Sequence, residues 1–257
     1  MISRNQLKFV RQLDQKKYRK REGVFVAEGI KVVGDLLAHF SPCMLFATEE
    51  WANANHRATE RLPQGSLSIV TEEELQRLSF QQHPQQVLAV FPILQPAEDI
   101  LMPTGLSLAL DGIQDPGNLG TIIRIADWFG IRDIYCSEDT VDAWNPKVVQ
   151  ATMGSIARVN IIYCDLPRLI DSLPESFPVY GTLLDGEDIY QQELSEEGLI
   201  VMGNEGNGIS EVVRARINRR LLIPHFRKED TAESLNVAIA TAITCSEFRR
   251  RSLNLPA

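Results

Sequence analysis

From Leu106 onward the chain sets down short apolar runs at regular intervals: Leu106 to Leu110, Ile131 to Cys136, Val159 to Cys164, Val179 to Leu184, Leu199 to Met202 and Leu221 to Ile223. Short runs that are predominantly apolar, rather than strictly alternating, suit strands covered on both faces. Helix-like segments fill most of the gaps, so the alternation predicts an α/β fold with a parallel sheet and crossover helices. The chain closes with a long helix rich in alanine and isoleucine, Ser234 to Arg251, whose arginine-bearing last turn suits the negative end of the helix dipole.

An earlier set of runs, Val24 to Ala27, Met44 to Ala47, Leu67 to Val70 and Val87 to Val90, alternates with helical patterns such as Ile30 to Phe40 and Glu72 to Leu78. These predict a smaller α/β unit. The stretch between the two sets carries Pro92, Pro96 and Pro103 with Glu98 and Asp99 and no clean period, which is the composition of a linker. The expected organisation is one domain over residues 1–98 and a second over 104–257, which a length of 257 residues accommodates.

Charge is divided unevenly. The net charge of −8 argues against indiscriminate coating of nucleic acid. Residues 1–21, however, carry Arg4, Lys8, Arg11, Lys16, Lys17, Arg19, Lys20 and Arg21 against Asp14 alone, a local charge of +7 that leaves −15 for the remainder. Two readings stay open: a grip on a polyanion confined to one end, with Lys16, Lys17, Arg19, Lys20 and Arg21 as RNA-binding candidates, or a solvated helix face.

No run approaches the ~20 apolar residues of a membrane span, and Met1-Ile-Ser-Arg-Asn5 lacks the apolar core of a signal peptide, so a cytoplasmic protein with no membrane partner is expected. Cys43, Cys136, Cys164 and Cys245 lie far apart with no C-x-x-C; they signal neither zinc nor disulfides and are expected to be reduced core residues, with no metal bound.

In open α/β sheets ligands bind beyond the carboxyl ends of the strands, and three loops there carry unusual residues. The first is Asp115-Pro-Gly-Asn118, turn chemistry in which Asn118 is placed to cap a helix from Leu119 to Gly130. Ile122, Ile125, Ala126 and Phe129 gather on one face of it, while Thr121, Arg124 and Trp128 lie on the other. Arg124 either pairs with Asp127 at i+3 or faces a ligand. The second loop is Gly203-Asn-Glu-Gly-Asn-Gly208, followed by a helix from Glu211. It fits neither the dinucleotide G-x-G-x-x-G nor the P-loop, whose Lys is replaced by Ile209, and Glu205 would repel a polyphosphate. A neutral or cationic ligand suits it better. The third, Ile223 to Asn236, ends with Ser234 and Asn236 at a helix start, placed to cap that helix or to meet a ligand. Neither G-x-S-x-G nor H-E-x-x-H occurs, and the histidines form no local cluster.

Taken together, these loops resemble the three motifs of the SpoU (TrmH-like) RNA ribose 2′-O-methyltransferases of the SPOUT superfamily. The resemblance runs from about Leu106 to the end of the last helix and includes Val141 to Gly154; Lys17 to Ile30 resembles the ribosomal-protein-like substrate-binding domain that many members carry. It implies a parallel sheet whose C-terminal part is tied in a deep trefoil knot, S-adenosyl-L-methionine as cofactor, RNA as substrate with ribosomal RNA ahead of transfer RNA, and a homodimer. By motif, Asn118, Arg124, Glu205, Ser234 and Asn236 would be catalytic, with Arg124 the residue to which the family pattern assigns activation of the ribose hydroxyl. Gly203, Asn204, Gly208, Ile223 and Leu235 would hold the cofactor, with Thr182 and Leu183 near its adenine. The stretch Pro224 to Ser234, filled by Arg227 to Asp230, is longer than the I-P-M-x-G of the family and lacks its glycine, and Thr152 stands where Ser is common. A noncatalytic RNA-binding relative is the alternative, and a nucleotide hydrolase comes third.

Overall fold

The computed structural model describes residues 2–93, 102–226 and 234–253, so the expectations for Arg227 to Asp230 lie outside the described residues. The first half runs α1 (Arg4–Gln12), α2 (Lys16–Glu22), β1 (Val24–Glu28), α3 (Ile30–Leu37), β2 (Met44–Ala47), α4 (Glu49–Ala54), α5 (His56–Thr59), β3 (Leu67–Ile69), α6 (Glu72–Leu78) and β4 (Val87–Pro92). Then follow β5 (Leu106–Asp111), α7 (Pro116–Trp128), β6 (Asp133–Cys136), α8 (Pro146–Ala151), β7 (Asn160–Tyr163), α9 (Leu166–Asp171), β8 (Val179–Asp188), β9 (Gly198–Gly203), α10 (Glu211–Arg214), β10 (Arg219–Leu222) and α11 (Val237–Ser252).

By contacts the chain divides into two compact units, Met1–Gln95 with Asp142–Ala157, and Pro96–Val141 with Arg158–Ala257. The segment Asp142–Ala157, expected within the second domain, groups by its contacts with the first unit. Aromatic packing and polar bonds hold it there: the Trp144 ring lies 4.7 Å from that of Phe25, and Gln150 Oε1 accepts from Gln81 Nε2 at 2.9 Å.

In the first unit a four-stranded sheet is ordered β1-β4-β2-β3, with β4 antiparallel to β1 and β2, and β2 parallel to β3. Its core collects Val10 and Leu13 with Val26, Phe46, Leu75, Leu78 and Val90. Two capping boxes fix helix starts here, Ser3 with Gln6 on α1 and Thr71 with Glu74 on α6.

In the second unit six strands, all parallel, are ordered β10-β8-β9-β5-β6-β7. Strand β5 is buried at every position and β9 at all but its last, as expected of strands with helices on both faces. The pairing of β8 with β10 breaks: Arg220 faces Gly181 but Leu221 faces Glu187, so Thr182 to Gly186 lie between the two paired stretches. A side chain at Gly186 would run into the Leu221 backbone, which makes glycine the residue that fits this crossing. Helix α7 packs on α11, and Arg249 ties their far ends by donating from Nε to Phe129 O at 2.7 Å and from its terminal nitrogen to Gly130 O at 3.2 Å. Those carbonyls end α7, where a cation is favoured.

Most expected runs match the strands to within one or two residues. The closing helix starts later, at Val237, because Asn236 caps it. Burial on α7 is centred on Leu119, Ile122, Ile123 and Ala126, and leaves Ile125 and Phe129 half-buried. Cys43 is exposed and corrects the expectation of four core cysteines. The other three are buried, and that burial pushes their thiols up, Cys164 to about 11.

Candidate active site

Strands β5 and β9 lie side by side, with Asp111 opposite Gly203, so the loops that follow leave the sheet from adjacent ends. Bonds at the base fasten the two loops together. Ser210 N–H donates to Asp111 Oδ2 at 2.7 Å, and Asn204 Nδ2 donates to Gly112 O at 2.6 Å. The glycine loop is closed by the paired backbones of Asn204 and Gly208, while Asn204 Oδ1 accepts from the N–H groups of Gly206 and Asn207. A side chain at Gly203 would collide with Gly208 and Ile209, so the tightness of this turn requires glycine.

After β5, Asp115 rather than Asn118 is the N-cap of α7: its Oδ1 accepts from Asn118 N–H at 2.8 Å, and Pro116 occupies the first helical position. That is the arrangement an Asp-Pro pair favours, and it frees the Asn118 side chain for other work.

Three loops distant in sequence meet at that side chain. Asn118 Nδ2 donates to Glu205 Oε1 at 3.0 Å, and Asn118 Oδ1 accepts from Asn236 Nδ2 at 2.9 Å. The backbone N–H groups of Gln114 and Asp115 also donate to the Glu205 carboxylate, each at 3.3 Å. Burial works to raise the Glu205 carboxyl, but the bonds from Asn118 and from the N–H groups of Glu205, Gln114 and Asp115 outweigh it and hold the group below its ordinary range. Asn236 completes the line with its own Oδ1, which accepts from Ala238 and Ile239 N–H as the cap of α11.

Arg124 lies farther along α7 on the exposed face with Thr121 and Trp128. The surface pair with Asp127 does not form. Asp127 is held by Arg158, whose Nε lies 3.0 Å from each carboxylate oxygen and whose terminal nitrogen lies 2.7 Å from one of them. Among the described residues Arg124 has no ion-pair partner. Ser234 is exposed and takes no part in the Asn118 network among the described bonds.

The residues expected around a cofactor come from neighbouring strand ends. Thr182 and Leu183 stand where the pairing of β8 breaks, Gly203 ends β9, and Ile223 follows β10. Thr182 Oγ1 donates to Val201 O at 3.3 Å, Leu183 is buried, and Leu235 is 51% exposed. The side chain of Asn204 is spent on the glycine loop and on Gly112 O, and the N–H of Gly208 on Asn204 O. Asp115, Gln114, Asp111 and Arg249 are the supporting residues that motif reading misses; of these, only Asp115 had a local signal, the proline that follows it.

The basic segment belongs to the first unit, and one of its members is not available to a ligand. Arg19 is 2% exposed; its Nε and a terminal nitrogen donate to Asp142 Oδ2 at 2.9 and 2.5 Å, and the other terminal nitrogen donates to Leu13 O and Asp14 O. The expected RNA contact of Arg19 is therefore corrected to a buried structural pair. Lys16, Lys17, Lys20 and Arg21 are exposed, with Lys17 and Arg21 each 4.9 Å from the centre of the Tyr18 ring.

Among the described residues no group of three or more His, Cys, Asp or Glu is placed to hold a metal, and no described helix is long and apolar enough to cross a membrane.

Comparison with known proteins bears on this geometry. The model of the SpoU rRNA Methylase family matches residues 105–246, and an MRM3-like substrate binding domain matches residues 4–89. The 23S rRNA (guanosine(2553)-2′-O)-methyltransferase RlmP of Bacillus subtilis is 32% identical over 93% of this chain and 94% of its own. A putative RNA methyltransferase of the TrmH family from Porphyromonas gingivalis superposes with a TM-score of 0.88 at 44% identity, covering 98% of this chain and 99% of that one. The AdoMet-bound rRNA methyltransferase of Sinorhizobium meliloti gives 0.84 at 31% identity, covering 98% and 96%. Motifs brought together by adjacent strand ends, and a family model spanning more than half of the sequence, lead to one conclusion: the chain belongs to the SpoU RNA methylase family.

Proposed function

We propose that the protein transfers a methyl group from S-adenosyl-L-methionine to a ribose 2′-hydroxyl in ribosomal RNA. The observation that carries this reading is the convergence of Asn118, Glu205 and Asn236, one from each motif loop, into a single hydrogen-bonded line. RlmP methylates a ribose oxygen of 23S rRNA by its name, and the Sinorhizobium meliloti neighbour binds AdoMet by its title. Such a reaction places the protein in the cytoplasm with the ribosomes it modifies.

The residues present fit the cofactor. Leu235 offers apolar surface, and Thr182 to Gly186 supply backbone outside the β10 ladder for polar contacts. Glu205, held ionised on the glycine loop, suits a cationic group and opposes a polyphosphate, which removes the basis for a nucleotide hydrolase. When bound, S-adenosyl-L-methionine supplies an electrophilic methyl on a positively charged sulfur. Backbone at Gly203, Ile223 and Leu235 holds it, while Asn204 and Gly208 shape the loop.

Arg124 orients the RNA. A guanidinium is protonated at any working pH and makes a poor base, but its fork of donors binds a phosphate or a ribose oxygen in two places at once. Lining up the 2′-oxygen with the methyl carbon removes up to ~7 to 11 kcal/mol of barrier for well-oriented groups. Asn118, Glu205 and Asn236 fix the start of α7, and with it the helix that carries Arg124; Ser234 belongs to the same motif as Asn236.

The active form is a homodimer. Trp128 is 85% exposed one turn beyond Arg124, an apolar surface that a second copy covers. The C-terminal chain carries the family's trefoil knot. The N-terminal unit holds RNA through Lys16, Lys17, Lys20 and Arg21.

Calorimetry with S-adenosyl-L-methionine, paired with mapping of ribose methylation in ribosomal RNA from cells with and without the protein, tests the reading. Binding of the cofactor and loss of one methylated ribose are expected. A folded protein that binds no cofactor overturns it.

A further inference from the structure

A cavity of about 570 Å³ opens on the first unit, lined by Leu7, Arg11, Gln76, Arg77, Ser79, Phe80, Gln81 and Gln82. No acidic side chain lines it. The lining comprises two guanidiniums, three carboxamides, one hydroxyl, one aromatic ring and the aliphatic Leu7. The Arg11 guanidinium lies 5.0 Å from the Phe80 ring centre and one of its terminal nitrogens donates to Ser79 O, so the cation is held over the aromatic ring. Gln81 Nε2 is occupied by Gln150 Oε1, which leaves the Gln81 carbonyl as an acceptor. Along α1, Arg4, Lys8 and Arg11 are all exposed and spaced i, i+4, i+7, so a cationic stripe leads to the cavity mouth.

The lining is built from beneath. Glu28, buried at the end of β1, accepts from Phe80 N–H at 2.9 Å and from the Ser79 hydroxyl, and the Ser79 oxygen in turn accepts from Gln81 N–H at 2.9 Å. The loop after α6 is therefore fixed before any ligand arrives. A phosphate calls only for cations, whereas amides that both donate and accept, beside a ring and a guanidinium plane, are what an unpaired base requires for edge contacts and stacking. The volume falls within the range of ligand pockets, roughly 300 to 1,000 Å³.

We infer that this cavity binds one unpaired nucleobase of the RNA substrate, with the α1 stripe following the adjoining phosphates. The inference rests on the RNA-methyltransferase reading and names where that RNA is read, away from the methyl-transfer residues in sequence.

The test uses the full-length protein and an unmodified 23S rRNA transcript. Arg77→Glu and Gln82→Ala, separately and together, are compared with Arg61→Glu, an exposed charge reversal outside the lining. Thermal melts establish that each variant is folded. The double variant is expected to lose at least about tenfold in RNA affinity relative to Arg61→Glu, and ultraviolet crosslinking of the wild type is expected to attach a nucleotide within the peptide that bears Phe80. Affinity of the folded double variant within about twofold of Arg61→Glu, or crosslinks confined to α2, overturns the inference. Calorimetry with S-adenosyl-L-methionine separates the two claims: a wild type that crosslinks through Phe80 yet binds no cofactor keeps the base pocket and loses the methyl-transfer reading.

Discussion

Asn236 Nδ2 donates to Asn118 Oδ1 across 2.9 Å, although 118 residues of chain separate them. Each asparagine sits at a helix start, and α7 and α11 pack together, so this bond ties the near ends of the pair as Arg249 ties the far ends. Asn236→Ala removes both the cap and the bridge and should destabilise by about 1 kcal/mol from the cap and a further ~0.5 to 1.5 kcal/mol from the bridge. Asn236→Ser retains the cap alone. A double-mutant cycle with Asn118→Ala, followed by urea unfolding, should return a coupling of roughly 0.5 kcal/mol or more; additive losses would mean that the two residues act independently.

The Glu205 carboxylate gives the network a pH dependence. Its folded-state pKa lies below the ordinary value, so the folded protein favours the ionised form more than the unfolded chain does. That contribution is present above about pH 4.3, the unfolded value for Glu, and fades as pH falls through the lower folded value. Wild type should therefore melt above Glu205→Gln at pH 7, with the gap narrowing as the pH is taken to 3.5. A gap that widens on acidification would contradict the network drawn around Glu205.

Arg124 stands exposed without an ion pair among the described residues, so its removal should leave stability within about 0.5 kcal/mol. Arg124→Ala should retain cofactor affinity by calorimetry yet lose at least about a hundredfold in methyl transfer, the scale seen when an oriented donor is removed. Turnover near the wild-type rate would reassign the residue.

Within the basic segment, burial separates two kinds of cation. Asp142→Asn leaves the Arg19 guanidinium without its counter-charge and should destabilise by about 3 kcal/mol, whereas replacing Lys16, Lys17, Lys20 and Arg21 by Ala should spare the melt. Those four instead set the salt dependence of RNA binding, and each lost phosphate contact should flatten the log–log slope by about 0.7 to 0.9. Filter binding at several salt concentrations reads this directly; an unchanged slope would return the segment to a solvated face.

Strands were legible where both faces are covered, because Leu199 to Met202 has no polar position and Leu106 to Leu110 has only Ser107 to interrupt it. The cap on α7 was legible in Asp115-Pro116 and was outweighed by the attraction of Asn118 as a capping residue. The meeting of Asn118 with Glu205 was not, since it follows from β5 and β9 being sheet neighbours, and strand order leaves no mark on the spacing of apolar runs. The resemblance to a family supplied what periodicity lacked. Arg19 shows the same limit from the other side: a basic run reads as a surface until its one buried member meets a carboxylate 123 residues away.

That distant carboxylate also sets an order on synthesis. Residues 1–93 leave the ribosome well before Asp142–Ala157, yet both belong to one compact unit. Nascent domains ordinarily fold in the sequence in which they emerge, but the pairing of Arg19 with Asp142 can form only after β5 and β6 of the second unit have been translated. The N-terminal unit is thus begun first and finished late.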